Sequence, residues 1–293
     1  MISGPETLVG VGGVRAWRAR PGLMVIPALL FCAIVFVGPM ISMATWAFRD
    51  GQGNLTLEHL RAVFGDDAYY TAFMNTFRVS GWTTLLCLLI GYPYAYLMTV
   101  ASRGGAALLL AGIMIPFWTS VLARSLAWVI LLGRNGVVND WLMRLGIVDQ
   151  PAQLLFNSFG VLIGMVHVLL PFMILPIWAV LSRLDQRLPL AARSLGASPT
   201  RAFLHITLPL SMPGVMAGVT LVFMFATGFY ITPALLGGPR DITIATLIEM
   251  AVRDLLDWSF GSMLSLVLMA LVGLIFAFGA VFAGAGRILG NDR

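Results

Sequence analysis

Apolar residues in this chain run in six long blocks, separated by shorter segments that hold most of the charge. The blocks lie near residues 23–48, 73–98, 105–133, 158–182, 214–236 and 262–286. Each can cross roughly 30 Å of hydrocarbon as a helix rising about 1.5 Å per residue. The pattern predicts an all-α polytopic membrane protein with six transmembrane helices. A tail over 1–22 precedes a transmembrane domain over 23–290. The first block follows Arg15, Arg18 and Arg20, like a secretory leader, but it is too long for a cleaved signal and reads as a retained anchor.

Composition agrees with a lipid environment. Of 293 residues, 59% are hydrophobic and only 11% charged, against about 25% charged in soluble domains. All 18 basic residues are Arg, and there is no Lys. The Arg side chains are scattered between the blocks, which argues against a nucleic-acid surface. A P-loop needs Lys to reach the phosphates, so the chain holds no P-loop ATPase. Cys32 and Cys87 fall inside apolar blocks and read as packing residues.

Charge also predicts orientation. With the N-terminus inside, the inner segments hold ten Arg: 15, 18, 20, 103, 183, 187, 193, 201, 287 and 293. The outer segments hold six Arg and ten of the thirteen acids. The positive-inside bias then gives N-in and C-in, with the 183–213 loop cytosolic. On the outer side, residues 54–70 carry helical apolar spacing at Leu57, Leu60 and Phe64, with Thr56 as a cap. A short interfacial helix is expected there, with His59 on its surface.

The 183–213 loop has the most specific punctuation. Pro189 suits the first turn of a short helix, and Gly196 stands where a left-handed stop is needed. Ser198 then Pro199 reads as an N-cap with Pro at the first helical position. Pro209 and Pro213 are expected to end this second helix before the fifth span. One apolar face carries Leu188, Ala191, Ala192 and Leu195, the other Phe203, Ile206 and Leu210, with Arg193 and Arg201 beside them. Helices of two turns are unstable alone in water, so something covers these faces: the ends of the chain's own spans, or a groove on a cytosolic protein.

The spacing Ala191-Ala192, three residues, Gly196, nine residues, Ile206, one residue, Leu208-Pro209 resembles the "EAA" loop of ABC-importer permeases. Leu190 stands where that motif has Glu, so the polar contact made by that Glu is missing. Further segments resemble spermidine/putrescine-type permeases: Asn75-Thr-Phe, Pro116 through Arg124 to Trp128, Leu132 to Asn139, Leu170 to Pro176, and Phe229 to Gly238. The similarity covers roughly residues 55–285. It implies the type I ABC importer transmembrane fold in a bacterial inner membrane. It also implies a second permease subunit, a cytosolic ABC ATPase dimer and an extracytoplasmic substrate-binding protein. This chain then binds no cofactor of its own, and ATP and Mg are used by the partner ATPase.

Charges inside spans are costly unless paired or wetted. Arg78 near the outer edge of the second span is expected to snorkel to headgroups. For Arg124, two readings are open: a structural pair with a carboxylate or helix C-terminus, or a role in the pathway. His167 reads as a core residue bonded to a neighbouring helix in preference to a proton or substrate site. Pro171, Pro176 and Pro233 before Gly237-Gly238 mark kinks or unwound backbone, which membrane proteins keep where it is buried or lines a water-filled cavity. Together with Phe229, Tyr230 and Trp128, this makes 228–238 the candidate path or gate, where aromatic faces can hold an organic cation; a tight helix–helix contact through its small residues is the other reading.

No Asp or Glu lies within the six blocks, so a polyamine or related cation meets no countercharge from them. A self-sufficient secondary transporter or channel is the alternative, but it needs intramembrane ionisable residues that are scarce here. No metal-ligand cluster and no nucleophile–base pair points to a metal site or to catalysis. The sequence therefore predicts a permease without an ATPase site.

Overall fold

The computed structural model describes residues 21–50, 53–185 and 187–290, and among these the regular structure is helical, with an isolated bridge between Arg49 and Leu55. Arg15, Arg18, Arg20, Arg293, the Arg287 side chain and most of the 1–22 tail lie outside what is described. The chain divides after Thr45 into two units. The described part of the first is a single apolar helix, α1 (Val25–Ala47), whose last two residues belong to the second unit; it widens into a π-helical turn at Ala33–Val37.

The second unit contains α2 (Glu58–Gly65), α3 (Asp67–Val100), α4 (Arg103–Phe117), α5 (Val121–Leu132) and α6 (Val137–Arg144). It continues with α7 (Ser158–Leu181), α8 (Arg187–Ser194), α9 (Pro199–Gly228), α10 (Ile231–Leu236), α11 (Ile244–Arg253) and α12 (Trp258–Gly290). Among the described residues six stretches are long and apolar enough to cross a membrane: α1, α3, Val121–Arg144, α7, α9 and α12.

The central helix of the second unit is α7. Its Met165, Leu169, Met173, Ile174, Ile177 and Leu181 are buried against α3 and α9. Without a hydrophobic drive between helices in lipid, close packing of small residues takes over. Gly218 of α9 brings backbone so near Met173 that a Cβ there would sit 2.8 Å from its sulfur. A smaller cluster of Val63, Ala72, Ile244, Met263, Leu264 and Val267 joins α2, α11 and α12 to the start of α3.

Several expectations need correction. The predicted 105–133 span is two helices, interrupted at Trp118–Ser120. There the Thr119 hydroxyl donates to Pro116 O at 2.6 Å, a local bond that competes with helix continuation. Pro171 and Pro176 do not unwind α7, which runs unbroken through both. Pro209 and Pro213 do not end the second loop helix either. A π turn at Phe203–Thr207, closed by Leu208 N–H to Phe203 O, carries the backbone past Pro209. Pro209 then stands in the first turn of the next α segment, where no N–H is required.

At 54–70 the helix is only Glu58–Gly65, started by a bond from Glu58 N–H to Thr56 Oγ1 at 3.1 Å. Its buried side is at Val63, while Leu57 and Phe64 are exposed. His59 is not a surface residue: it is half-buried, its ring centroid 6.0 Å from that of Phe260.

Candidate functional site

Every cap foreseen in the 183–213 loop is present. Helix α8 ends in a left-handed glycine, Gly196 at φ +91°. Gly196 N–H bonds Arg193 O and Ala197 N–H bonds Ala192 O, both at 3.0 Å, which is the Schellman pattern. Ser198 Oγ accepts from Arg201 N–H at 3.3 Å and Pro199 follows it, so α9 starts at once.

The two loop helices then part company. Phe203 of α9 packs edge-on against Tyr92 and Tyr96 of α3, with centroids 5.9 and 5.6 Å apart, and Ala202 is buried. That half of the loop rests on the chain's own spans. None of the residues of α8 is buried: Leu188, Leu190 and Leu195 are exposed, the last at 89%, and Ala191 and Arg193 with them. Ile206 and Leu208 are half-buried, while Arg201 and Pro209 are exposed. Between α8 and α9 lies a cleft of about 220 Å³, lined in part by Tyr96, Leu181, Asp185, Leu188, Arg193 and Phe203. A partly basic helix with exposed apolar residues thus stands at this end.

The candidate path residues gather in a second neighbourhood. Arg124 and Trp128 stand one turn apart on α5, and the Trp128 indole N–H donates to His167 Nδ1 of α7 at 2.9 Å. His167 is therefore tied to a neighbouring helix, as expected for a core histidine. Ser125 and Thr232 hydroxyls meet at 3.0 Å, joining α5 to α10.

The expected unwinding in 228–238 is real but short. Helix α9 stops at Gly228, Phe229 is extended at φ −82° and ψ 121°, and a new helix begins at Ile231. Phe229 packs on the core, Tyr230 is exposed, and Pro233 is buried within α10. Arg124 is 8% exposed, and its Nε and Nη1 have no hydrogen-bond partner among the described residues. No carboxylate pairs with it among the described residues.

The sequence reading missed the clasp at the end of the spans opposite α8. Asp241, only 5% exposed, accepts from the Ser158 hydroxyl and from Gly238 N–H at 3.3 Å, and its Oδ1 lies 3.6 Å from Arg78 Nη2. Arg78 thus has a protein counter-charge that the headgroup expectation left out. Asn75 Nδ2 donates to Arg240 O and Ile242 O, and Thr76 Oγ1 accepts from Ile244 N–H at 2.9 Å. Nearby, Asn139 is fully buried; it donates to Gly133 O and Ala152 O, and its Oδ1 accepts from Ala152 N–H. Asn75, Asn139 and the glycines beside Asp241 stood inside the resembling segments. The partners of Asn75 lie 165 and 167 residues away, so nothing local marked it, whereas Asn139 is tied to Gly133 and Ala152, only 6 and 13 residues away. No group of three or more His, Cys, Asp or Glu suited to a metal occurs among the described residues.

No family model matches the chain. It is 35% identical over 224 residues to the spermidine/putrescine transport system permease protein PotB of Escherichia coli, covering 76% of this chain and 80% of that protein. The PotB protein of Haemophilus influenzae is 36% identical over 256 residues, covering 86% of each. The inner membrane ABC transporter permease protein YdcU of Escherichia coli is 28% identical, covering 92% of this chain and 93% of that protein. Among solved structures, a chain of a bacterial ABC transporter involved in the import of the acidic polysaccharide alginate superposes with a TM-score of 0.78 at 18% identity. The match covers 91% of this chain and 95% of that one, which shows a shared fold. A multi-pass inner-membrane chain with six apolar crossings, these relatives and this fold belongs to the spermidine/putrescine-type family of ABC-importer permease subunits.

Proposed function

We propose that this permease subunit serves an ATP-driven, binding-protein-dependent importer of spermidine, putrescine or related small organic cations. The observation that carries this reading is α8: an unburied helix turned by Gly196 at φ +91°, which leaves Leu188, Leu190 and Arg193, and Leu195 just after it, exposed. Such a surface fits a groove on a partner. A chain without Lys has no P-loop of its own. An ABC ATPase dimer in the cytosol is the fitting partner, with the motif residues Ala191, Ala192, Gly196, Ile206, Leu208 and Pro209 shaping the contact. Arg193, Ser198, Pro199, Arg201 and Phe203 hold and orient it.

The positive-inside count supports N-in and C-in, which puts α8 in the cytosol and Asp241 on the outer side. There a substrate-loaded binding protein docks, and a second permease completes the pore. The break at Phe229–Tyr230, with Pro233 and Arg124 nearby and the Trp128–His167 pair as its wall, is the proposed path. A cargo amine can rest on the exposed Tyr230 face. The described spans contribute no buried carboxylate to that stretch, so the second permease or the outer acids Glu249, Asp254 and Asp257 supply the countercharge.

Reconstitution with the second permease, the ATPase and the binding protein tests the function. Spermidine or putrescine should stimulate ATP hydrolysis and enter vesicles. Stimulation by an anionic or neutral solute alone would replace the polyamine assignment. Uptake by this chain without any ATPase would favour a secondary transporter.

A further inference from the structure

The geometry points to a binding cleft for a lipid phosphodiester between the outer ends of α3 and α7, with Arg78 as its anion contact. The cleft has a volume of about 240 Å³ and is lined by Arg78, Val79, Trp82, Ser158 and Leu162. Its chemistry is divided: the Arg78 guanidinium on the polar side, beside a Ser158 hydroxyl whose hydrogen is given to Asp241, and Val79, Leu162 and the half-exposed Trp82 on the apolar side. That division matches a headgroup phosphate with the first carbons of its acyl chain.

Arg78 has capacity left for such a ligand. Only its Nη2 approaches protein acceptors, Ser158 Oγ at 3.5 Å and Asp241 Oδ1 at 3.6 Å. The first is at the limit of a hydrogen bond and the second is an ion-pair distance. Nε and Nη1 have no partner among the described residues, and the side chain is 50% exposed. Asp241 does not use up the site. Its oxygens are already engaged by the Ser158 hydroxyl and Gly238 N–H, and its side chain is 6% exposed. A planar guanidinium with free N–H groups is the side chain best matched to phosphate oxygens.

Depth agrees. Helix α3 has 34 residues, about 51 Å of helix, against roughly 30 Å of hydrocarbon. Arg78 lies eleven residues into it, about 17 Å from its start. A centred helix then places its Cα some 6 Å below the headgroup boundary, within reach of an Arg side chain. Trp82, one turn further, lies about 12 Å below that boundary, level with the acyl chain. The assignment of the leaflet rests on the orientation proposed above; the cleft itself does not.

The test uses the purified transporter complex, delipidated and titrated separately with dioleoyl phosphatidylglycerol, dioleoyl phosphatidylcholine and inorganic phosphate, reading the thermal unfolding midpoint and lipid retained by native mass spectrometry. Both phospholipids should raise the midpoint and remain bound, the anionic one more tightly, while phosphate alone does nothing. Arg78→Gln should weaken lipid retention about tenfold, which is about 1.4 kcal/mol, and Arg78→Lys less. Leu162→Trp, which fills the cleft and keeps the charge, should weaken it as well. Protection by inorganic phosphate equal to that by lipid would overturn the lipid and assign the cleft to a free anion. Undiminished retention in both Arg78→Gln and Leu162→Trp would overturn the site altogether. These readings need no transport activity, so they stand apart from the identity of the cargo.

Discussion

The two ends of the α3–α7–α9 bundle are built on opposite principles. At the α8 end, order comes from neighbours in sequence: Gly196 turns the chain, Ser198 caps, Pro199 starts a helix, and the surface is left open. At the Asp241 end, order comes mainly from residues 80 or more positions apart in sequence. Asn75 and Thr76 hold the 240–244 backbone, and Asp241 gathers Arg78, Ser158 and Gly238. An end that fixes its own shape can be presented to a partner without being held by the rest of the molecule. An end fixed by distant residues closes the bundle and reports on the arrangement of several helices at once.

Stability losses fall off from the buried polar ties, Asn139 and then the Asp241 clasp, to the loop. Asn139→Ala removes three hydrogen bonds from a fully buried amide and orphans Ala152 and Gly133 groups. A loss of about 3 kcal/mol is expected, read as a drop of roughly 6–12 °C in the unfolding midpoint of the purified complex. A change below a few degrees would show that the Asn139 contacts are incidental.

Asp241→Asn keeps the shape but removes the charge facing Arg78 and weakens the bonds from Ser158 and Gly238. About 2 kcal/mol is expected, since Arg78 is half-exposed and its share is screened. The effect should shrink when Arg78→Gln is already present, and strict additivity of the two would remove the ion pair from the account.

Ser198→Ala takes away an N-cap on the loop and should cost about 1 kcal/mol locally. It should appear as faster amide exchange over 198–204, while the global midpoint moves little. A global shift as large as that of Asp241→Asn would erase the distinction between the two ends. Smallest of all, Trp128→Phe loses the indole donor to His167 at a cost of about 0.5–1 kcal/mol. Uptake should stay within about twofold, as for a wall residue whose energetic share is about that of one neutral hydrogen bond. A tenfold loss with unchanged stability would make the pair part of the transport chemistry.

The same contrast explains what could be read from the sequence. Five of the six crossings, the α8 turn and the Ser198 cap depend on local spacing and stand where the pattern placed them, while the third crossing is shifted to Val121–Arg144. The break after Gly228 is in its expected place too, because an aromatic pair followed by Pro233 and two glycines is a local interruption. Where the reading failed, a local signal met a non-local answer. Pro209 looked like a stop, yet a π turn and a helix already leaning on Tyr92 and Tyr96 carried the chain through. Pro171 and Pro176 looked like kinks, yet α7 is packed against α3 and α9, which hold it helical. Arg78 looked like a lone cation because Asp241 lies far from it in sequence. Arg124 stays without a carboxylate in the chain's own described residues, and no sequence pattern distinguishes such a residue from one with a partner.

The central claim is that α8 is the attachment point of an ATPase, and Gly196 tests it most directly. Val at this position must adopt φ +91°, which a β-branched residue resists, at a cost of about 1–2 kcal/mol confined to the turn. In the reconstituted complex with its ATPase and binding protein, Gly196→Val should leave the unfolding midpoint of the permease nearly unchanged. It should abolish substrate-stimulated ATP hydrolysis or ATPase co-purification. Wild-type stimulation together with normal co-purification of this variant would contradict the account.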